Sequence, residues 1–178
     1  MNSILNDKKW KRVNHGMITI PLIDYLENLI IEQYDLGNKV KICIGTDSQK
    51  RGKKFKFSTV IIFEMKQPMG LEYGKMVYKG LGAKVITGDS IDTNPMKIQE
   101  RMLKEVQMSI DVGYHILDLI ELYEVDLEIH ADVNPNPRWA SNIALTQAVG
   151  FITGMGFVYK VKPDAYAASC GADKQCNS

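Results

Sequence analysis

The order of strand-like and helix-like segments is the feature that most constrains the fold of this chain. Residues 40–46, 55–65 and 75–79 are rich in apolar, β-branched and aromatic residues, which is typical of strands. Only short breaks separate them, so they are expected to form an antiparallel meander. Helical and strand patterns then alternate, an arrangement that pairs strands in parallel. The sequence therefore predicts an α/β fold with a five-stranded mixed sheet, in which strands 1–3 form the meander, strands 4 and 5 are parallel, and helices cover both faces.

The predicted helices are recognised by their first residues and by their apolar spacing. Residues 21–36 repeat apolar side chains at helical intervals after Pro21, and a Gly-Asn pair ends the pattern. Asn94 followed by proline begins a long helix, in which Gly113 is a candidate for a break. The segments after the meander are predicted over residues 94–123 (helix), 125–134 (strand), 136–154 (helix), 157–162 (strand) and 163–174 (helix).

Composition places the chain among ordinary globular proteins. It has 178 residues, 45% of them hydrophobic and 24% charged, with a net charge of +1. Since so small a charge gives no overall attraction to nucleic acid, any such attraction must come from a local patch. The three cysteines form no C-x-x-C pair and the first residues contain no apolar signal-peptide core, which favours a cytoplasmic location. No apolar run reaches the roughly 20 residues needed to cross a membrane.

Two parts are predicted along the chain. Residues 1–39 are expected to form a basic N-terminal segment, poorly ordered over residues 1–16, followed by an extra helix packed on the core. Residues 40–178 are expected to form the main domain. The sequence leaves open whether the extra helix covers the sheet or forms an interface, and it leaves the oligomeric state open as well.

Two predicted strands lead directly into an aspartate: the first in IGTDSQ, at Asp47, and the fourth in IHADVN, at Asp132. If these strands are parallel neighbours, both carboxylates emerge at the sheet edge where ligands of α/β proteins bind. Nearby carboxylates repel one another unless a cation lies between them, and a hard divalent cation such as Mg²⁺ prefers oxygen ligands. Each aspartate taken alone could equally serve a turn. The two together favour a metal site.

Longer motifs carry a resemblance to a known family. GTDSQ, ERMLKEVQMSI, HADVN, GFITGMGF and KPDAYAAS resemble the bacterial YkuK family of predicted ribonuclease H-like proteins, over roughly residues 40–175. The resemblance implies that residues 40–178 form a ribonuclease H-like domain. It also implies hydrolysis of phosphodiester bonds of a nucleic acid by a two-metal mechanism, with Mg²⁺ or Mn²⁺ as the ions.

The same resemblance implies which acids hold the metal ions. Asp47 corresponds to the first-strand carboxylate that bridges the two ions, and Asp132 corresponds to the acid of the fourth strand. In the first long helix Glu105 is chosen over Glu100, because an apolar residue follows Glu105 and a small residue lies one turn later, at Ser109.

The fourth acid is assigned to the last predicted helix. Asp173 follows a small residue there, as in the superfamily pattern. Asp164 is the competitor, but it lies directly after a strand and next to Pro163, where it more simply caps the helix. Asp173 is therefore preferred.

Polar residues near these acids are candidates for substrate binding. The basic run KRGKKFK starts three residues after Asp47, and it is a candidate for contacts with phosphates. Ser48 and Asn134 could hold water or phosphate, or equally cap turns. His130 alternates toward the same edge, although a structural histidine with satisfied hydrogen bonds is the favoured interpretation. The predicted substrate-binding residues are Ser48, Lys50, Arg51, Lys53 and Asn134.

Two rival functions stand beside the nuclease. A ribonuclease H-like domain could bind nucleic acid or a protein without catalysis, and convergence of the four acids would discriminate between the two. A nucleotide-handling enzyme is ranked last, because the chain has neither a G-x-G-x-x-G motif nor a P-loop lysine motif. RNA, DNA and a hybrid of the two all remain open as the nucleic-acid partner.

Overall fold

A computed structural model describes residues 9–13, 15–133 and 141–167, without the side chains of residues 141–145. The strands and helices are, in chain order, β1 (Trp10–Arg12), β2 (Gly16–Met17), α1 (Leu22–Asp35), β3 (Lys39–Arg51), β4 (Lys54–Glu72), β5 (Lys75–Asp92), α2 (Ile98–His115), α3 (Leu117–Leu122), β6 (Asp126–His130), α4 (Ser141–Gly154) and β7 (Val158–Lys160). Within these residues no helix combines the length and apolar character needed to cross a bilayer.

The described strands form one mixed sheet in the order β2-β1-β5-β4-β3-β6-β7. Strands β3, β4 and β5 pair antiparallel, and β6 and β7 continue the sheet in parallel. The predicted α/β fold, with a meander followed by parallel strands, is confirmed. The predicted number of five strands is wrong, because the sheet has seven.

The two additional strands, β1 and β2, lie in the N-terminal segment for which the sequence predicts little order. They form a hairpin on the outer edge of β5, where Lys11 pairs with Thr87. Trp10 is only 5% exposed, and a Cβ added at Gly88 would lie 3.1 Å from its ring. The glycine thus allows the indole to approach the backbone closely. Burial of such a side chain stabilises the hairpin by roughly 2–3 kcal/mol.

The described helices pack on one face of the sheet. Ile42 and Ile44 of β3 are fully buried on that face, together with Leu26 and Ile30 of α1. Alternation along a strand sends every second side chain to the same face, which explains this pattern. The extra N-terminal helix therefore covers the sheet.

The opposite face carries a smaller apolar cluster that includes Cys43, Ile62 and Ala167. Residues 165–167 begin the final helix predicted over residues 163–174, most of which lies outside the described residues. The prediction of helices on both faces depends on this segment. Cys43 is a free and buried thiol.

Strands β4 and β5 are longer than predicted, at 19 and 18 residues. Gly70 and Gly82, each with φ +126°, lie at shifts in the β4–β5 register rather than at strand ends. A bulge that only glycine accommodates easily lets the ladder continue past each of them. As a result, residues 67–81 extend beyond the start of β3 as a two-stranded ribbon.

Helix α2 begins at Ile98, four residues later than the start predicted at Asn94. The Glu100 carboxylate accepts a hydrogen bond of 2.8 Å from the Lys97 N–H at this end of the helix. Such a contact satisfies a backbone donor that has no partner inside the helix. Glu100 is exposed, and its carboxylate caps the first turn of α2.

The predicted break in this helix lies at Ile116, between α2 and α3, and not at Gly113. Gly113 instead permits close packing, because a Cβ there would lie 3.2 Å from the ring of Phe157. Helix α2 consequently stays straight enough to run along β3 and β6.

Candidate active site

Asp47 lies inside β3 and not at its end. The strand continues to Arg51, and Asp47 pairs with Ser58 of β4. The predicted strand end at residue 46 is wrong, because the hairpin with β4 extends the strand past its apolar part. On the other side, the parallel pairing with β6 ends at Gly45 and His130. Asp47 and Asp132 each lie two residues beyond that last pair, where the sheet opens between β3 and β6.

Glu105 approaches this opening from helix α2. Its side chain is buried, with only 7% of the residue exposed, and it accepts a hydrogen bond of 2.5 Å from the Ser48 hydroxyl. Ser109, one turn after Glu105, lies 2.9 Å from the Thr46 hydroxyl. Alternation turns Thr46 and Ser48 toward α2. These hydroxyl contacts fix Glu105 against β3.

The three acids interact electrostatically. Burial is the main cause that raises the pKa of Glu105 to about 7, and the negative charges of Asp47 and Asp132 raise it further. The Ser48 hydrogen bond and the Arg101 guanidinium lower the pKa but do not outweigh these effects. Asp47 and Asp132 therefore lie near enough to Glu105 to act on its charge, although the ligand atoms of the three acids are not gathered within 4.8 Å of one another. We refer to Asp47, Glu105 and Asp132 as the acidic cluster.

Two cations approach Asp132 and Glu105. The Lys162 ammonium lies 2.7 Å from Asp132 Oδ1, and Arg101 Nε lies 3.8 Å from Glu105 Oε1. Neither contact has hydrogen-bond geometry, so the buried Asp132 Oδ1 and Arg101 Nε make no hydrogen bond among the described residues. A carboxylate oxygen without a hydrogen bond, such as Asp132 Oδ1, is the kind of ligand that a hard divalent cation prefers.

These two cations are residues that sequence reasoning missed. Arg101 precedes Glu105 by one helical turn, and that i, i+4 spacing was a signal that could have been read. Lys162 gave no such signal, because its approach to Asp132 depends on how the chain returns after β7.

The fourth acid is not located. Asp173 lies outside the described residues, and so does Asn134. Asp164 is exposed, and its backbone N–H donates to the Val161 carbonyl at 2.8 Å in the turn after β7. The choice of Asp173 over Asp164 stays a prediction.

The predicted substrate-binding residues differ in exposure. Lys50, Arg51 and Lys53 are exposed at the turn between β3 and β4, at the same end of β3 as Asp47. Ser48 is only 3% exposed and donates to Glu105, which makes it a support for that carboxylate. Contacts of these residues with a substrate stay predictions.

A second group of possible metal ligands lies further back on the same strands. One ligand atom each of Cys43, Glu128 and His130 lie within 4.8 Å of one another. However, His130 Nδ1 accepts the Ala167 N–H at 3.1 Å, so the ring proton is on Nε2, which lies 3.2 Å from Glu128. Such a nitrogen has no lone pair for a metal. Burial also raises the pKa of Cys43 to about 11, and the Lys41 ammonium already neutralises Glu128 at 2.7 Å.

In the structure this second group is therefore a hydrogen-bonded network. Both ring nitrogens of His130 have partners, as the favoured interpretation of a structural histidine requires. The acids at the opening between β3 and β6 are the better candidate for function, because the pKa of Glu105 is strongly raised there.

Fold and site together define a class of protein. A meander followed by parallel strands, with acids on β3, on α2 and after β6, is the arrangement expected of a ribonuclease H-like protein. The family model described as Ribonuclease H-like matches residues 23–177. The chain belongs to this ribonuclease H-like family, the YkuK family that its motifs resemble. Neither a curated protein nor a solved structure matches the chain significantly.

Proposed function

We propose that this protein is a divalent-metal-dependent nuclease that hydrolyses phosphodiester bonds of a nucleic acid. The observation that carries the proposal is the buried Glu105, whose pKa rises to about 7 and on which the half-buried Asp47 and Asp132 act electrostatically. A perturbed acid among other acids at the edge of a sheet is a common feature of functional sites. Membership of a ribonuclease H-like family adds the reaction class.

In this proposal Asp47, Glu105 and Asp132 hold Mg²⁺ or Mn²⁺, with Asp173 as a fourth ligand. A bound divalent ion would supply an activated water and electrostatic stabilisation of the phosphate. The backbone of Asp47 is fixed by the pairing of β3 with β4, which continues as far as Arg51. Ser48 orients the Glu105 carboxylate by its hydrogen bond.

The substrate side of the proposal uses the basic turn after Asp47. Lys50, Arg51 and Lys53 would contact phosphates of the nucleic acid, with Asn134 near the scissile bond. Phosphate contacts of this kind position a nucleic acid without reading its sequence. Assays on all three substrate types will therefore decide between RNA, DNA and a hybrid.

The experiment is a calorimetric titration with Mn²⁺ of the wild type, Asp47→Asn and Glu100→Gln. The wild type and Glu100→Gln are expected to bind Mn²⁺ equally, and Asp47→Asn is expected to lose at least about a hundredfold in affinity. Glu100 is the matched control, since it is an exposed acid on the same helix as Glu105. Labelled RNA, DNA and hybrid are then tested for Mn²⁺-dependent cleavage. Equal binding by the wild type and Asp47→Asn would overturn the proposal.

The contacts of Asp132 with Lys162 and of Glu105 with Ser48 favour a second candidate, a nucleic-acid-binding domain without catalysis. Both carboxylates then have partners from the chain itself. This candidate predicts binding of labelled nucleic acid that is unchanged by Mn²⁺ and by Asp47→Asn, with no cleavage.

A further inference from the structure

His130, the last residue of β6, joins two parts of the chain that flank Asp132. The residue is 1% exposed. Its Nδ1 accepts a hydrogen bond of 3.1 Å from the Ala167 N–H, and its Nε2 lies 3.2 Å from Glu128 Oε2. Since Nδ1 is the acceptor, Nε2 carries the proton and donates to Glu128. The ring therefore uses both nitrogens to hold separate groups.

Ala167 belongs to residues 160–167, which we call the return segment because it runs back beside Asp132. The Ala131 N–H donates to the Lys160 carbonyl at 2.9 Å, and the Lys162 N–H donates to the Val133 carbonyl at 3.4 Å. Asp132 lies between these two backbone contacts. The position of its carboxylate thus depends on where the return segment lies.

The far end of the return segment is fixed by two side chains. The Tyr166 hydroxyl donates to Glu64 and lies 3.1 Å from Cys43 Sγ. The Tyr166 ring packs edge to face on His130, with 4.6 Å between the ring centroids. The hydrogen bond from the Ala167 N–H to His130 Nδ1 ties this end of the return segment to β6.

We propose that His130 is a positioning residue for Asp132: its Nδ1 anchors the return segment, which in turn holds the Asp132 carboxylate at the opening between β3 and β6. This role rests on the proposed function, because a fixed Asp132 matters only if the cluster binds a metal ion. Groups that orient metal ligands from behind are worth about 10- to 100-fold in metal affinity.

Two substitutions separate the two hydrogen bonds of the ring. In His130→Asn, the side-chain oxygen is as many bonds from Cα as Nδ1 is, so it can accept the Ala167 N–H. In His130→Gln, the terminal nitrogen is as many bonds from Cα as Nε2 is, so it can donate to Glu128. Mn²⁺ affinity is expected to fall about 10- to 100-fold in His130→Gln. It is expected to stay within about threefold of the wild type in His130→Asn.

Hydrogen exchange of the Ala167 amide, measured by NMR, tests the anchor without any metal. The amide is expected to be protected in the wild type and in His130→Asn, and to exchange much faster in His130→Gln. Tyr166→Phe, which keeps the ring and removes the hydroxyl, is a second variant should His130→Gln fail to fold, and it is expected to weaken Mn²⁺ binding.

The outcomes distinguish this role from the proposed function. Rescue of both Mn²⁺ affinity and Ala167 protection by asparagine but not by glutamine supports the role. Equal Mn²⁺ affinity of the two His130 variants and the wild type overturns the role and leaves the nuclease proposal standing. Failure of the wild type to bind Mn²⁺ overturns the nuclease proposal, and the positioning role with it.

Discussion

Two clusters lie along the parallel pair of β3 and β6, one around Glu128 and one around Glu105. The pKa of the central acid is lowered in the first and raised in the second. Burial alone would raise the pKa of Glu128 on β6, but hydrogen bonds with Lys41 and His130 outweigh burial and lower it. Glu105 is more deeply buried, and burial is the main cause that raises its pKa to about 7, with smaller contributions from Asp47 and Asp132. Lys41 lies 2.7 Å from Glu128, whereas Lys162 lies at the same distance from Asp132 without hydrogen-bond geometry and Arg101 lies 3.8 Å from Glu105.

This difference teaches how to separate a structural acid from a functional one. Glu128 forms an ion pair of 2.7 Å with Lys41 of the neighbouring strand, so its charge is compensated within the fold. Glu105 instead keeps a raised pKa even though Ser48 and Arg101 lower it, and we expect an external cation to lower it further.

The first way to sharpen the comparison is a pH series of unfolding free energy without metal. Because the folded pKa of Glu105 lies near 7, above its ordinary value of 4.5, its stabilising contribution is full below about pH 4.5 and is lost as pH rises through 7. We expect the wild type to lose up to about 3 kcal/mol over this range. Chemical denaturation followed by fluorescence measures it. Glu105→Gln, which can still accept from Ser48, should remove most of this slope; a curve identical to the wild type would contradict the assignment.

Glu128 gives the opposite sign in the same experiment. Its folded pKa is lowered, so its contribution is present above its ordinary value of 4.5 and is lost as the pH falls through the folded pKa. The two clusters should therefore affect stability on opposite sides of about pH 4.5.

The second prediction breaks the compensated cluster. Lys41→Met leaves Glu128 with one fewer cation in a half-buried site, where the two side chains are 16% and 18% exposed, and should destabilise the protein by about 1–2 kcal/mol. Lys39→Met is the matched control on the same strand, because its pair with Asp126 is 41% and 57% exposed and should contribute under about 0.5 kcal/mol. Urea unfolding compares them. Equal losses would show that burial of the pair does not matter.

The third prediction has the smallest expected effect and concerns Lys162 beside Asp132. Lys162→Met removes a positive charge 2.7 Å from Asp132 and should tighten Mn²⁺ binding by roughly 3- to 10-fold, since the lysine competes with the ion. Lys160→Met, two residues earlier, should leave the affinity unchanged. Weaker Mn²⁺ binding in Lys162→Met would mean that the lysine supports the site.

The meander, the parallel strands and the candidate acids could be predicted because each leaves a local pattern. Asp47 and Asp132 both follow apolar strand residues, and Glu105 is marked by its neighbours on the helix. The strand containing Asp47 was still predicted too short, since polar residues paired in a hairpin do not show the alternation of a half-buried strand.

Tertiary contacts explain what the sequence could not reveal. Trp10 lies in a basic segment, and its packing on Gly88 accompanies the pairing of β1 with β5. A glycine such as Gly82 is typical of a strand end, but here it lies at a bulge within the β4–β5 pairing. Ala167, the partner of His130 Nδ1, is 37 residues away in the chain, so the role of His130 as an anchor leaves no local trace.

The parallel pairing of β3 with β6 also has a consequence for how the protein reaches its working state. Cys43 and Glu128, which face each other across this pairing, are 85 residues apart in the chain. Bringing such distant strands together carries a large loop-closure entropy and is slow compared with forming the meander. Asp47 lies on β3, Asp132 follows β6, and Glu105 lies between them in the chain, so the three acids meet only after this loop has closed. A partly folded chain, including one still emerging from the ribosome, therefore has the meander but no assembled cluster, and it becomes able to capture a metal ion only when folding is nearly complete.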